Sequence, residues 1–393
     1  GEQESALINR AAAAIKVSDL VIADSTSCVT GEIQTGSDPA VEVPTAAMLI
    51  AKANSGYAGN DNNNSASVEN VQIVWYRNGA NQDGITTGNS KATTEPAATG
   101  TMVYSGNGIA SLLIGSVDAN NRLPEEEGKT SQQGTPTNKF TIKNVTIQAG
   151  DFGRKKTANV GVEGNVTAGL IGEIKSGAVT IGNSDDQTDN WKTNIKIHGT
   201  LTLNAVKGEK SAAGGLVGKV ADTASTQNDA LTLQKVYLEA DTLKMNGRKN
   251  QNSILGGFIG SVEGGKSVHI ENADLIAKSV NGGMEEKSQE WNADTTGGTI
   301  GSVTAGTKTE LKDVRLTTAE GKLGGKQASG GVVGSLASGE ASLESVNVRA
   351  VNKNEAEGQG QSAVKTFRDI EVALSDNASL TINADNGSDS AAG

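Results

Sequence analysis

The sequence predicts an all-β chain folded as a single parallel β-helix of about eight coils, with a short N-terminal capping helix and a disordered acidic C-terminal tail. Three observations carry this. A five-residue column recurs seven times, an alternating decapeptide follows most copies, and aromatic residues make up only 3% of a chain with 50 Gly and 5 Pro. With so few large side chains, an ordinary globular core of this size cannot be filled, so small β-branched residues must fill the interior.

The column reads Leu49-Ile50-Ala51-Lys52-Ala53, then Leu113-Ile114-Gly115-Ser116-Val117, Leu170-Ile171-Gly172-Glu173-Ile174 and Leu216-Val217-Gly218-Lys219-Val220. Phe258-Ile259-Gly260-Ser261-Val262, Thr299-Ile300-Gly301-Ser302-Val303 and Val332-Val333-Gly334-Ser335-Leu336 follow. Successive third positions are 64, 57, 46, 42, 41 and 33 residues apart. The later spacings lie in the range of repeat architectures, and the taper places insertions at corners that shorten toward the C-terminus. The second and fifth positions are apolar in every copy although they are three apart, which period-2 alternation cannot achieve. The central residue therefore sits at a bend or bulge that resets the parity.

Decapeptides such as 140–149, 231–240, 268–277, 309–318 and 341–350, with an earlier version at 66–75, alternate apolar and polar residues on either side of a polar dipeptide. Each reads as two short strands meeting at a corner. Asn70, Asn144, Asn272 and Asp313 fall at that corner, where residues that tolerate left-handed backbone turn a strand cheaply.

At the ends, the Ala-rich run within residues 4–14 reads as a helix that would cover the first coil's edge. Residues 1–14 thus form a cap, 46–350 the repeat coils and 351–384 a terminal coil. The helix spans 1–384, and 385–393 is a flexible tail.

Gly169-Leu170-Ile171-Gly172 and Gly215-Leu216-Val217-Gly218 resemble the GLUG motif, a Gly-Leu-apolar-Gly repeat of bacterial surface adhesins and of domains flanking secreted proteases. Gly257-Phe258-Ile259-Gly260, Gly298-Thr299-Ile300-Gly301 and Gly331-Val332-Val333-Gly334 match it loosely, and the first two column copies depart from it. The resemblance implies display on a bacterial surface and transfers no catalytic residue.

Charge and motifs narrow the functional classes. A net charge of -11 argues against binding nucleic acid, which needs clustered cations. No run of about 18 apolar residues suggests a membrane span. The lone Cys28 excludes a disulfide framework within the chain, and a buried free thiol is expected there. The string from Gly260 to Ser267 fits the P-loop expression, but a strand rather than a helix is expected to begin at Val268, so nucleotide binding is rejected. His198 and His269 stand alone, without the spacing of a metal site, and no nucleophile elbow occurs. No catalytic residue, cofactor or metal is therefore assigned.

The candidate ligand-contact residues are Trp75, Asp185, Asp186, Asp189 and Trp191, and Trp291 beside Glu285, Glu286 and Glu290, aromatic and acidic side chains mostly in insertions. Such clusters could serve sugar binding, while a solvated acidic loop is the simpler account of them. The expected function is a non-enzymatic, extracellular structural or adhesive protein of a bacterial cell surface. Its expected partners are a host or cell-surface glycan or protein, or further copies joined end to end. The alternatives are a pilus-like filament subunit that stacks end to end and a β-helix polysaccharide lyase or glycoside hydrolase.

Overall fold

The computed structural model describes residues 6–11, 15–24, 28–31, 45–54, 65–75, 100–105, 108–118, 139–150, 157–182, 193–206, 208–221, 229–248, 251–283, 292–304, 307–337, 340–350, 371–374, 379–384 and 391–392. These are strands and short connections, and every strand pairing among them is parallel. They form three sheets of 8, 15 and 8 strands. The chain visits them in a fixed order. Ile254–Gly256 lies in a sheet of three-residue strands, Ile259–Val262 in the sheet built from the column, and Ser267–Gly282 in a sheet of long strands. The next circuit repeats this with Thr295–Gly297, Ile300–Val303 and Lys308–Gly325, each paired on its counterpart.

Parallel pairing in unbroken register stacks like on like. In the column sheet Ile50, Ile114, Ile171, Val217, Ile259 and Ile300 form one buried ladder, and Ala53, Val117, Ile174, Val220, Val262 and Val303 a second. Val68, Ile142, Ile181, Leu233, Ile270 and Leu311 do the same in the long sheet. Each buried aliphatic side chain contributes about 1.5–3 kcal/mol. Small side chains therefore build a continuous core despite the shortage of aromatics.

Positions two and five of the column are both buried in the first six copies, as the parity argument requires. The central glycine is a steric necessity. A Cβ at Gly218 would lie 2.6 Å from the Gly172 carbonyl oxygen, and one at Gly172 would lie 2.5 Å from that of Gly115. From Gly115 onward each circuit sits too close on the last for a side chain at this point to fit without a shift.

The decapeptide corner also forms as the residue types dictate. Asn70, Asn144, Asn272 and Asp313 have φ of 55°, 52°, 52° and 52°. Asp19, Lys235 and Ser345 occupy the same position with φ of 55°, 51° and 53°. The corner amides also form a ladder between circuits. Asn144 Nδ2 donates to Asn70 Oδ1 at 2.9 Å, and Asn70 Nδ2 to Asp19 Oδ1 at 3.0 Å.

Three expectations are corrected. The helix expected within 4–14 is replaced at its described residues by a strand: Ile8–Ala11 pairs with Ile50–Asn54, and no helix occurs among the described residues. Leu7-Ile8-Asn9-Arg10-Ala11 is itself a column copy with Asn in the glycine slot. So short an Ala-rich run gains too little from helix propensity to outweigh in-register burial. Within the 64-residue spacing between the first two column copies, where a long insertion is expected, Gly100–Ser105 is a strand paired with Asn159–Gly164. Within the expected tail, Ala391–Ala392 pair with Ala328 and Ser329. The remainder of the tail lies outside the described residues.

Candidate functional site

Alternation turns every second side chain of the long sheet outward, and stacking turns these outward positions into rows. Across one row Asn194, Tyr237, Asp274, Arg315 and Asn347 are level. Asp274 is only 3% exposed. Arg315 grips it with two donors: Nε reaches Oδ1 at 2.6 Å, and Nη2 reaches Oδ2. Burial raises the Asp274 pKa, opposed by the hydrogen bond and charge of Arg315. Tyr237 donates its hydroxyl to Glu239 Oε2 at 3.0 Å, and Lys196 Nζ lies 5.5 Å from its ring centroid. Burial first, and the Glu239 carboxylate second, push the phenol well above its ordinary range.

The other outward rows follow the same logic. His198 Nδ1 is 2.9 Å from Asp241 Oδ2, and Lys278 Nζ is 3.0 Å from Asp241 Oδ1. His269 Nε2 is 3.0 Å from Glu310 Oε2, and Lys308 bonds the same carboxylate, holding it below its usual range. Basic and acidic side chains of neighbouring circuits thus face one another. That arrangement is suited to stabilising a parallel sheet in register. On the column sheet burial raises the Glu173 pKa, with Lys175 and Lys219 opposing. Among the described residues no three His, Cys, Asp or Glu side chains gather as a metal site needs. The strand beginning at Ser267 directly after Lys266 excludes the helix a P-loop requires.

The structure places the anchors of the predicted contact loops. Gly182 pairs with Gln234 and Thr193 with Val236, so residues 183–192 stand in sequence where other circuits have the single corner residue Asn144 or Lys235. Asp185, Asp186, Asp189 and Trp191 lie on that insertion, outside the described residues. Residues 284–291 leave between Gly283 and Asn292, where the long sheet hands over to the short one, and Trp291 likewise lies outside the described residues. The two insertions therefore start at different corners, two circuits apart. Trp75 closes the strand Ser65–Trp75, level with Ala149 and Asp24. Cys28 opens the strand Cys28–Gly31.

No protein-family model, curated protein or solved structure matches the chain. Function must therefore be argued from the geometry alone. The row through Tyr237, Asp274 and Arg315 was not singled out by motif reading. Superposing the decapeptides puts all three at one repeat position, and that is the signal that could have found them.

Proposed function

We propose that the chain is a parallel β-helix that works without catalysis as a rigid extracellular rod of a bacterial cell surface, holding corner insertions out to a host or cell-surface glycan or protein. One observation carries the reading. A ten-residue insertion at 183–192 leaves the ladder intact on both sides, with Val179 and Ile181 before it and Ile195 and Ile197 after it all buried. A scaffold whose core ignores its insertions can vary them freely, which is what a display function needs. The paired outward charges and the column's likeness to the GLUG repeat support the same reading.

Replacing residues 183–192 by a single Asn, as at Asn144, tests it. The variant should keep the parent's circular dichroism and melting temperature and lose binding on a glycan array or to cell-surface protein. Loss of folding would place the insertion in the scaffold, and depolymerisation of a polysaccharide by the parent would put the enzyme alternative in its place.

A further inference from the structure

The last described circuit is unfinished. Ala391–Ala392 start a further level in the short sheet, and Glu371–Leu374 occupy one in the long sheet on top of Asn347–Ala350. Nothing among the described residues lies on Val333–Leu336 or Glu340–Glu344, which end their ladders. Leu336, at a position buried in the preceding seven circuits, is 47% exposed. The opposite end carries the missing pieces. Ile8–Ala11 is the outer strand of the column sheet, Lys16–Asp24 starts the long sheet, and among the described residues the short sheet begins only after both, with Thr45–Ala47. Leu7, on this end, is 63% exposed.

We propose that the open C-terminal edge takes the N-terminal strands of a second copy of this chain, joining copies head to tail. The inference rests on the β-helix reading above. Three features of the two edges agree. First, the backbone polarity matches: Ile259 N–H donates to Thr299 O at 3.1 Å and Ile300 N–H to Val332 O at 3.0 Å, so column amides point to the following circuit and that of Val333 points off the end. Ile8 N–H donates to Leu49 O at 2.8 Å, so the equivalent carbonyl, that of Leu7, points off the other end to receive it. Second, the ladders continue: Ile8 comes over Val333, Ala11 over Leu336 and Val17 over Leu343, as their registers on Ile50, Ala53 and Val68 dictate. Third, charges complement: Lys16, level with Ser342 by the same ladder, falls between the exposed Glu340 and Glu344.

Two contacts resist the join. Asn9 would bring a Cβ to the Gly334 carbonyl, although Ala51 is level with Asn9 inside the chain and the strands there still pair. Glu371–Leu374 hold the place that Val21, Ile22, Ala23 and Asp24 of the second copy would take. That four-residue strand must yield, and so acts as a brake. Because each joined copy presents the same free edge again, the assembly is open-ended.

Sedimentation velocity and negative-stain microscopy of the full chain over a concentration series test this. The parent should form single-file particles as concentration rises, and Val372→Pro, which removes pairing of the braking strand, should do so at lower concentration. Glu340→Lys/Glu344→Lys should remain monomeric, and adding Lys16→Glu should restore growth. Arg10→Glu/Lys16→Glu alone should block growth from the other edge. Monomers in both parent and Val372→Pro at every concentration, or growth indifferent to charge reversal, would overturn the proposal. The circular dichroism and length of the monomeric particle report separately on the β-helix reading.

Discussion

At the scale of single residues, the stacked column makes sharp demands. A methyl group at Gly218 would press on the Gly172 carbonyl, on Val166 and on the Thr167 carbonyl at 2.6, 2.7 and 2.8 Å. Gly218→Ala should therefore cost about 1–3 kcal/mol, the usual range for overpacking, read from urea unfolding. Ile259→Asp should cost more than about 4 kcal/mol, because it leaves an unpaired charge in an aliphatic ladder. Asn144→Ala should lose about 1–2 kcal/mol, since it forces alanine into positive φ and deletes the bond to Asn70. Asn144→Gly should recover the backbone part alone. Glu173 gives a pH-dependent test. Burial raises its folded pKa above 4.5, so the folded state disfavours its charge at neutral pH and the penalty disappears once pH falls below the unfolded value. Glu173→Gln should thus raise the melting temperature at pH 7 and leave it unchanged near pH 3; a loss at pH 7 would mean that Lys175 and Lys219 prevail.

At the scale of elements, edge and centre should differ. Native-state hydrogen exchange should be slowest in Leu231–Asn246 and Ser267–Gly282, which have a strand on both sides, and fastest in Ile8–Ala11 and Val333–Leu336, which have one. Equal protection throughout would contradict that order. The strands, the reset at the glycine and the corner at Asn70, Asn144, Asn272 and Asp313 were legible because alternation and turn chemistry are local. The first strand was not, because Asn9 stands where the repeat has glycine and Ala11 is followed by three further alanines, a helical composition. Only the neighbouring circuit, which offers Ile8 a ladder to join, decides the matter. The contact between Asp274 and Arg315 was hidden for the same reason. The two are 41 residues apart in sequence and become neighbours only through register.

At the scale of the whole molecule, the central claim is that repeats tens of residues long advance the chain by one strand spacing each, about 4.8 Å. Ser67, Thr141, Thr180, Thr232, His269, Glu310 and Ser342 are successive members of one outward row. Nitroxide labels on cysteines at Ser67, His269 and Ser342, in a Cys28→Ser background, convert that row into distances by pulsed electron paramagnetic resonance. The account predicts about 19 Å between positions 67 and 269 and about 29 Å between 67 and 342, four and six spacings. Separations that fail to grow with the number of intervening circuits, or a distance between 67 and 342 shorter than that between 67 and 269, would contradict it.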